Sequence, residues 1–190
     1  MEVKRLFDIF PYQQEKYPKG DALGGKYNNV WETWSTQQII DITDTIALGL
    51  LERGLIPGDK IAIISENCVE WIFADQGILK MGGITIPIYT TVPDEIVAYT
   101  LNHAGVKCVF AQTEEHYHKI QRVKDQVATL EHVFTFQEVN GAETYKSMAV
   151  QSSDGGRSQL KAIQDGVKSD GLATIIYTSG TTGLPKGVML

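Results

Sequence analysis

From Lys60 to Phe136 short apolar runs alternate with helical stretches, and that rhythm narrows the fold more than any other feature of the chain. Ile61 to Ile64 is continuously apolar, as a strand covered on both faces must be. Asn67 with Glu70 signals a helix start, and Val69, Ile72, Phe73, Gln76 and Leu79 then share one helical face. Gly82-Gly83 stops that helix, and Ile84 to Ile88 reads as the next strand, with Pro87 marking its end or a sheet edge. Pro93, Asp94 and Glu95 open a second helix, their acids matched to the helix dipole, and Gly105 closes it. Val106 to Phe110 is a third strand, Glu114 to Ala128 a third helix and His132 to Phe136 a fourth strand. Repeated units of this length predict an α/β fold, a parallel sheet flanked by helices.

The segments on either side are less regular. Met1 to Gly25 predicts a short helix and loop, docked through Leu6, Phe7, Ile9 and Phe10, and Tyr27 to Trp34 a hairpin strand. Ser35 and Gln38 make a capping box, behind which Ile39, Ile42, Ile46 and Leu50 recur at helical spacing until Gly54. Beyond the alternating region, Tyr145 to Val150 predicts a helical turn or two, Ser152 to Gly156 a loop, and Leu160 to Val167 a helix. This connector is expected to lead back into the sheet through Leu172 to Tyr177. No linker composition splits the chain, so residues 1–190 read as one domain.

The chemistry concentrates in the last stretch, DGLATIIYTSGTTGLPKGVML. An apolar strand-like run ends at Tyr177, and Thr178, Ser179, Gly180, Thr181, Thr182, Gly183 and Lys186 follow. Glycines let backbone N–H groups wrap an anion without Cβ interference, hydroxyls add donors or a metal ligand, and one lysine adds mobile positive charge. That combination suits a phosphate chain. The common P-loop is excluded, because Gly187 rather than Ser or Thr follows Lys186. A flexible Gly/Ser/Thr linker is the plainer reading. It explains neither the apolar runs on both sides nor the lysine.

Other features exclude more than they propose. A net charge of −6 argues against a general nucleic-acid binder. No apolar run approaches the roughly 20 residues that span a bilayer, so no transmembrane segment is expected. Cys68 and Cys108 make no disulfide framework and suit a reducing cytosol. Ser65-Glu66-Asn67-Cys68, after the first strand of the alternating region, is no dinucleotide fingerprint. His116 and His118 point to different faces of a helix and so make a poor metal pair, while His103 and His132 read as surface or strand-end residues. Trp31, Trp34 and Trp71 read as packing residues, since no basic side chains interleave with them.

The stretch YTSGTTGLPKGV resembles, residue for residue, the phosphate-loop signature of the adenylate-forming enzymes: acyl-CoA synthetases, luciferases and peptide-synthetase adenylation domains. The likeness extends through PGDKIAIISENCVEWIFADQGILKMGGITIPIYTTVP and TLNHAGVKCVF, from about residue 27 onward. Within the superfamily the last stretch looks most like long-chain fatty-acid–CoA ligases.

This resemblance implies an enzyme that activates a fatty acid or other carboxylic acid with ATP and passes it to coenzyme A. It implies that Thr178 helps hold magnesium, that Ser179 to Gly183 wrap the β- and γ-phosphates, and that Lys186 screens departing pyrophosphate. Family members are several times longer, so the chain is expected to be the N-terminal portion of the AMP-binding domain, cut just after the phosphate loop. No catalytic residue is expected in it, and alone it is expected to be inactive and to self-associate. A cytoplasmic location follows, and peripheral association at the inner membrane face is compatible with it. A stand-alone nucleotide- or partner-binding module, and a peptide-synthetase adenylation domain, are the alternatives.

Overall fold

The computed structural model describes residues 2–148, 154–178 and 183–190. Helix α1 (Ile9–Lys16) follows a 3-10 turn at Leu6–Asp8. Phe7 is buried and Phe10 packs on the core, but Leu6 and Ile9, expected to dock as well, are exposed. The strand expected over Tyr27–Trp34 is resolved as an antiparallel hairpin, β1 (Leu23–Tyr27) and β2 (Val30–Trp34). Its two-residue turn is Asn28-Asn29, at φ 49° and 66°, the left-handed region that a tight hairpin demands and Asn tolerates. Trp34 and Trp71 pack against the core as expected. Trp31 does not: it is 68% exposed on the hairpin.

Helix α2 (Thr36–Glu52) begins with the capping box read from the sequence, Ser35 Oγ accepting from the Gln38 N–H at 3.2 Å and Gln38 Oε1 from the Ser35 N–H at 2.8 Å. The units that follow are β3 (Lys60–Ile64), α3 (Val69–Lys80), β4 (Ile84–Ile88), α4 (Asp94–Ala104), β5 (Val106–Ala111), α5 (Glu114–Val123), β6 (His132–Thr135) and the two-residue β7 (Glu143–Thr144). Some boundaries differ from expectation. Cys68, not Asn67, is the N-cap of α3 and offers no side-chain cap, and the helix from Glu114 gives way after Val123 to a 3-10 turn over Lys124–Gln126. The connector carries a 3-10 turn at Tyr145–Met148 and helix α6 (Asp154–Gly166), which starts inside the stretch expected as a loop up to Gly156 and makes Leu160 its buried anchor rather than its first turn, while residues 149–153 lie outside the described residues.

Strands β3 to β7 form one parallel sheet in the order β4-β3-β5-β6-β7. Successive β3 side chains divide between its two faces. Ile61 and Ile63 join α2 and α3 in one apolar cluster, while Ala62 and Ile64 join α4 and α5 in another. That division is why β3 reads as unbroken apolar sequence. Chain order reverses between β3 and β5, the switch point of a doubly wound sheet. There the Glu66 N–H donates to Gln112 Oε1 at 2.8 Å. Strand β4 is one edge of the sheet, and Pro87 lies two residues beyond Thr85, whose N–H points outward to the Ala173 carbonyl. The missing proline N–H therefore faces away from β3 and costs no ladder bond. Among the described residues no helix is long and apolar enough to cross a membrane.

Candidate functional site

The stretch expected to rejoin the sheet through Leu172 to Tyr177 does so, among the described residues, by a single bridge, Thr85 with Thr174. Beyond that bridge β8 (Ile175–Thr178) turns into its own antiparallel ribbon with β9 (Lys186–Met189). The base of the ribbon is tied firmly. The Thr85 N–H donates to the Ala173 carbonyl at 3.0 Å, and Thr174 Oγ1 donates to the Thr85 carbonyl at 2.8 Å. Thr85 Oγ1 in turn donates to Asp75 Oδ1 at 2.8 Å, linking the ribbon to α3. Burial pushes the Asp75 carboxyl above its usual range, with the Thr85 and Gln76 hydrogen bonds opposing.

At the mouth of the ribbon, Thr178 and Lys186 are direct cross-strand partners. This pairing brings together two of the residues singled out from the sequence. Both are exposed, and among the described residues Lys186 has no carboxylate partner. Gly183 is exposed at φ 129°, a conformation that side chains rarely adopt. Ser179, Gly180, Thr181 and Thr182 lie outside the described residues. A magnesium ion bound with a nucleotide takes most of its ligands from phosphates and water and one or two from protein. The exposed hydroxyl of Thr178 fits that donor set, though no described group of three or more His, Cys, Asp or Glu side chains could hold a metal by itself.

Beside the mouth lies a cleft of about 490 Å³, walled by Ile88, Tyr89, Val92 and Ile96 on one side and by Ile176, Tyr177 and Pro185 on the other. It opens at the C-terminal end of β4, the end where sheets of this kind present their ligand sites. Sequence reasoning passed over two residues here. The Tyr177 hydroxyl is 2.7 Å from His103 Nδ1, 74 positions away in sequence, a pairing that no local pattern signals. Gly187 is the second: a Cβ there would stand 2.7 Å from Ile175 Cγ2 and 3.2 Å from Tyr177 Cζ. Of the other histidines, His116 is buried and His118 is exposed, so the pair does not converge. His132 opens β6, as a strand-end residue should.

Residues 10–190 match the model of a family described as AMP-binding enzyme. The long-chain-fatty-acid–CoA ligase ACSBG2 of Xenopus laevis is 30% identical over 190 residues, covering 97% of this chain and 26% of that protein. FadD15 of Mycobacterium tuberculosis, also a long-chain-fatty-acid–CoA ligase, is 30% identical over 163 residues, covering 86% of this chain and 27% of its own length. The chain thus spans about a quarter of the length of these relatives. Among solved structures, the anthranilate CoA ligase AuaEII in complex with anthranoyl-AMP superposes with a TM-score of 0.75 at 17% identity, over 96% of this chain and 34% of that one. That likeness supports the fold.

Proposed function

The chain belongs to the AMP-binding enzyme family, and from that premise we propose that it supplies the phosphate-binding part of an ATP-dependent acid–thiol ligase, an acyl-CoA synthetase acting on long-chain fatty acids. The observation that carries this reading is the juxtaposition of Thr178 with Lys186 across the mouth of a ribbon whose connection is rich in glycine and hydroxyls. In the proposed reaction a carboxylate attacks the α-phosphorus of ATP, forming an acyl-adenylate and releasing pyrophosphate. The thiol of coenzyme A then attacks the acyl carbon and expels AMP. Chemistry of this kind rests on positioning and on neutralising charge.

Lys186, paired with Thr178, would meet the charge that builds on pyrophosphate, and the backbone N–H groups of residues 179–183 would wrap the β- and γ-phosphates. Thr178 would offer its hydroxyl to magnesium, which supplies further charge neutralisation when bound. The apolar walls of the neighbouring cleft suit an alkyl or pantetheine-like chain better than a second charged group. No residue of this chain is assigned a proton transfer, and the 190-residue chain alone is proposed to form no adenylate. The free thiols Cys68 and Cys108 favour the cytoplasm, including its membrane face, as the working compartment.

The test is carboxylate-dependent exchange of labelled pyrophosphate into ATP by the protein that carries this chain, across a panel of acids, followed by thioester formation with coenzyme A. Exchange with long-chain acids and transfer to the free thiol support the reading. Exchange with an amino acid and transfer only to a carrier protein would make it a peptide-synthetase adenylation domain. Nucleotide binding with no exchange on any acid would reduce it to a binding module.

A further inference from the structure

We propose that Tyr177 and His103 form a latch that positions the mouth of the β8–β9 ribbon, where Thr178 faces Lys186. The ligand is taken from the reading above, whereas the latch itself rests on geometry alone. The ribbon has two ends and is held differently at each. Its base is fixed to β4 by backbone and hydroxyl hydrogen bonds at Thr85, Ala173 and Thr174. Thr178 lies four residues further along, or about 13 Å of extended strand, and between the two Ile175 and Tyr177 pack on the apolar cluster beneath α4 and α5, a non-directional contact that does not by itself fix the angle of the mouth.

The latch closes that gap. Tyr177, the residue before Thr178, places its hydroxyl 2.7 Å from His103 Nδ1, with the two rings edge-on at 5.7 Å and 90°. His103 is itself steadied, stacked on Tyr99 at 5.3 Å, and it belongs to the last turn of α4, which packs on the main sheet. The Tyr177 ring also reaches across the ribbon to the other side of the connection. It lies over Gly187, next to Lys186, so closely that a Cβ at 187 would be 3.2 Å from Cζ. One ring therefore touches both strands beside the Thr178–Lys186 pair, and one hydrogen bond ties it to the body. Burial, with the neighbouring Tyr99, raises the phenol above its usual value.

A ligand that needs one arrangement of the mouth binds more weakly in proportion to the time the mouth spends elsewhere. Tyr177 and His103 are thus positioning residues, and their loss is expected to lower affinity rather than to unfold the chain. The experiment compares Tyr177→Phe, His103→Ala, the double variant and His103→Asn, which keeps a polar atom near the Nδ1 position. Amide hydrogen exchange at the pairs Tyr177–Gly187 and Thr178–Lys186 reads the latch without ligand. MgATP titration by calorimetry reads its effect on binding.

Each of the first two variants is expected to speed exchange at those pairs and weaken MgATP binding by about 2- to 10-fold, the range of one hydrogen bond. The double variant should match the singles, His103→Asn should recover most of the loss, and the melting temperature should hold. Unchanged exchange in both single variants, or additive losses in the double variant, would overturn the latch. If MgATP does not bind the unaltered chain, the phosphate reading fails by itself, and the exchange rates alone then decide for or against the latch.

Discussion

Helix α3 packs closely against α2 at Gly77, and the substitution Gly77→Ala tests how much of the fold's stability rests on that approach. An added Cβ would lie 2.5 Å from Ile46 Cγ2, 2.8 Å from Ile46 Cβ and 3.3 Å from the Thr43 carbonyl oxygen. Ile46 is only 1% exposed, and as a β-branched residue in a helix it has essentially one rotamer, so its Cγ2 has nowhere to swing. The two helices must separate instead. Overpacking of this kind costs about 1–3 kcal/mol, and contacts under 3.0 Å to an atom fixed to the backbone argue for about 3. Against this, replacing an interior helical glycine by alanine recovers about 1 kcal/mol of propensity. The net expectation is about 2 kcal/mol of destabilisation, or a melting temperature lower by about 4–8 °C for a chain of this size. Calorimetry reads the shift, and urea unfolding should show a lower midpoint at unchanged m. The same change at Gly166, where a Cβ meets nothing within 4 Å, is the control and should be neutral or better. A Gly77→Ala chain that melts at or above the original temperature would refute the packing argument.

Three further outcomes are expected. Asp75 has a folded-state pKa raised above 3.8 by burial, so its contribution to stability is complete below pH 3.8 and is lost as pH rises through the folded value. Asp75→Asn, which still accepts from Thr85, should therefore raise the melting temperature at pH 7 and lose that advantage below pH 3.8. Lys186→Ala should weaken MgATP binding by about tenfold at low salt and less at high salt, the mark of an exposed charge, and calorimetry at two ionic strengths distinguishes this from lost structure. The ribbon exposes Leu184, Val188, Met189 and Leu190, and among the described residues β9 pairs only with β8, so the chain is expected to self-associate through this edge. Light scattering across a dilution series checks it, and a strict monomer at high concentration would contradict it.

Much of the fold was legible because its signals are local. The capping box at Ser35, the unbroken apolar run of β3 and the glycine stop at Gly105 each depend on residues within a few positions of one another. The hairpin turn was missed because Asn28-Asn29 reaches positive φ without a glycine to announce it. The exposure of Trp31 was missed because a large aromatic ring is ordinarily a packing residue. At the candidate site the sequence named the loop, but not what holds it. Tyr177 meets His103 and Thr174 meets Thr85 only through the fold, across 74 and 89 positions. Gly187 reads as one more loop glycine until the Tyr177 ring is seen lying over it.

The long span between Thr85 and Thr174 also sets an order of assembly. From β3 to β6 each new strand pairs with one made at most two units earlier, β4 and β5 on either side of β3 and β6 on β5, so the sheet can form from contacts made fairly near in the chain. Docking the ribbon instead closes a loop of 89 residues, whose entropic cost must be met before its few hydrogen bonds give anything back. On a chain emerging from the ribosome at about 5–20 residues per second, the sheet has seconds to fold before the ribbon appears. The ribbon therefore arrives last, onto a finished edge, and its contacts are absent from the barrier that the sheet crosses. Weakening the Thr85–Thr174 tie should leave the folding rate alone and instead hasten departure of the ribbon. A region that joins late and leaves early opens without unfolding the rest, so the segment proposed to grip phosphates can open and close while the sheet beneath it stays folded.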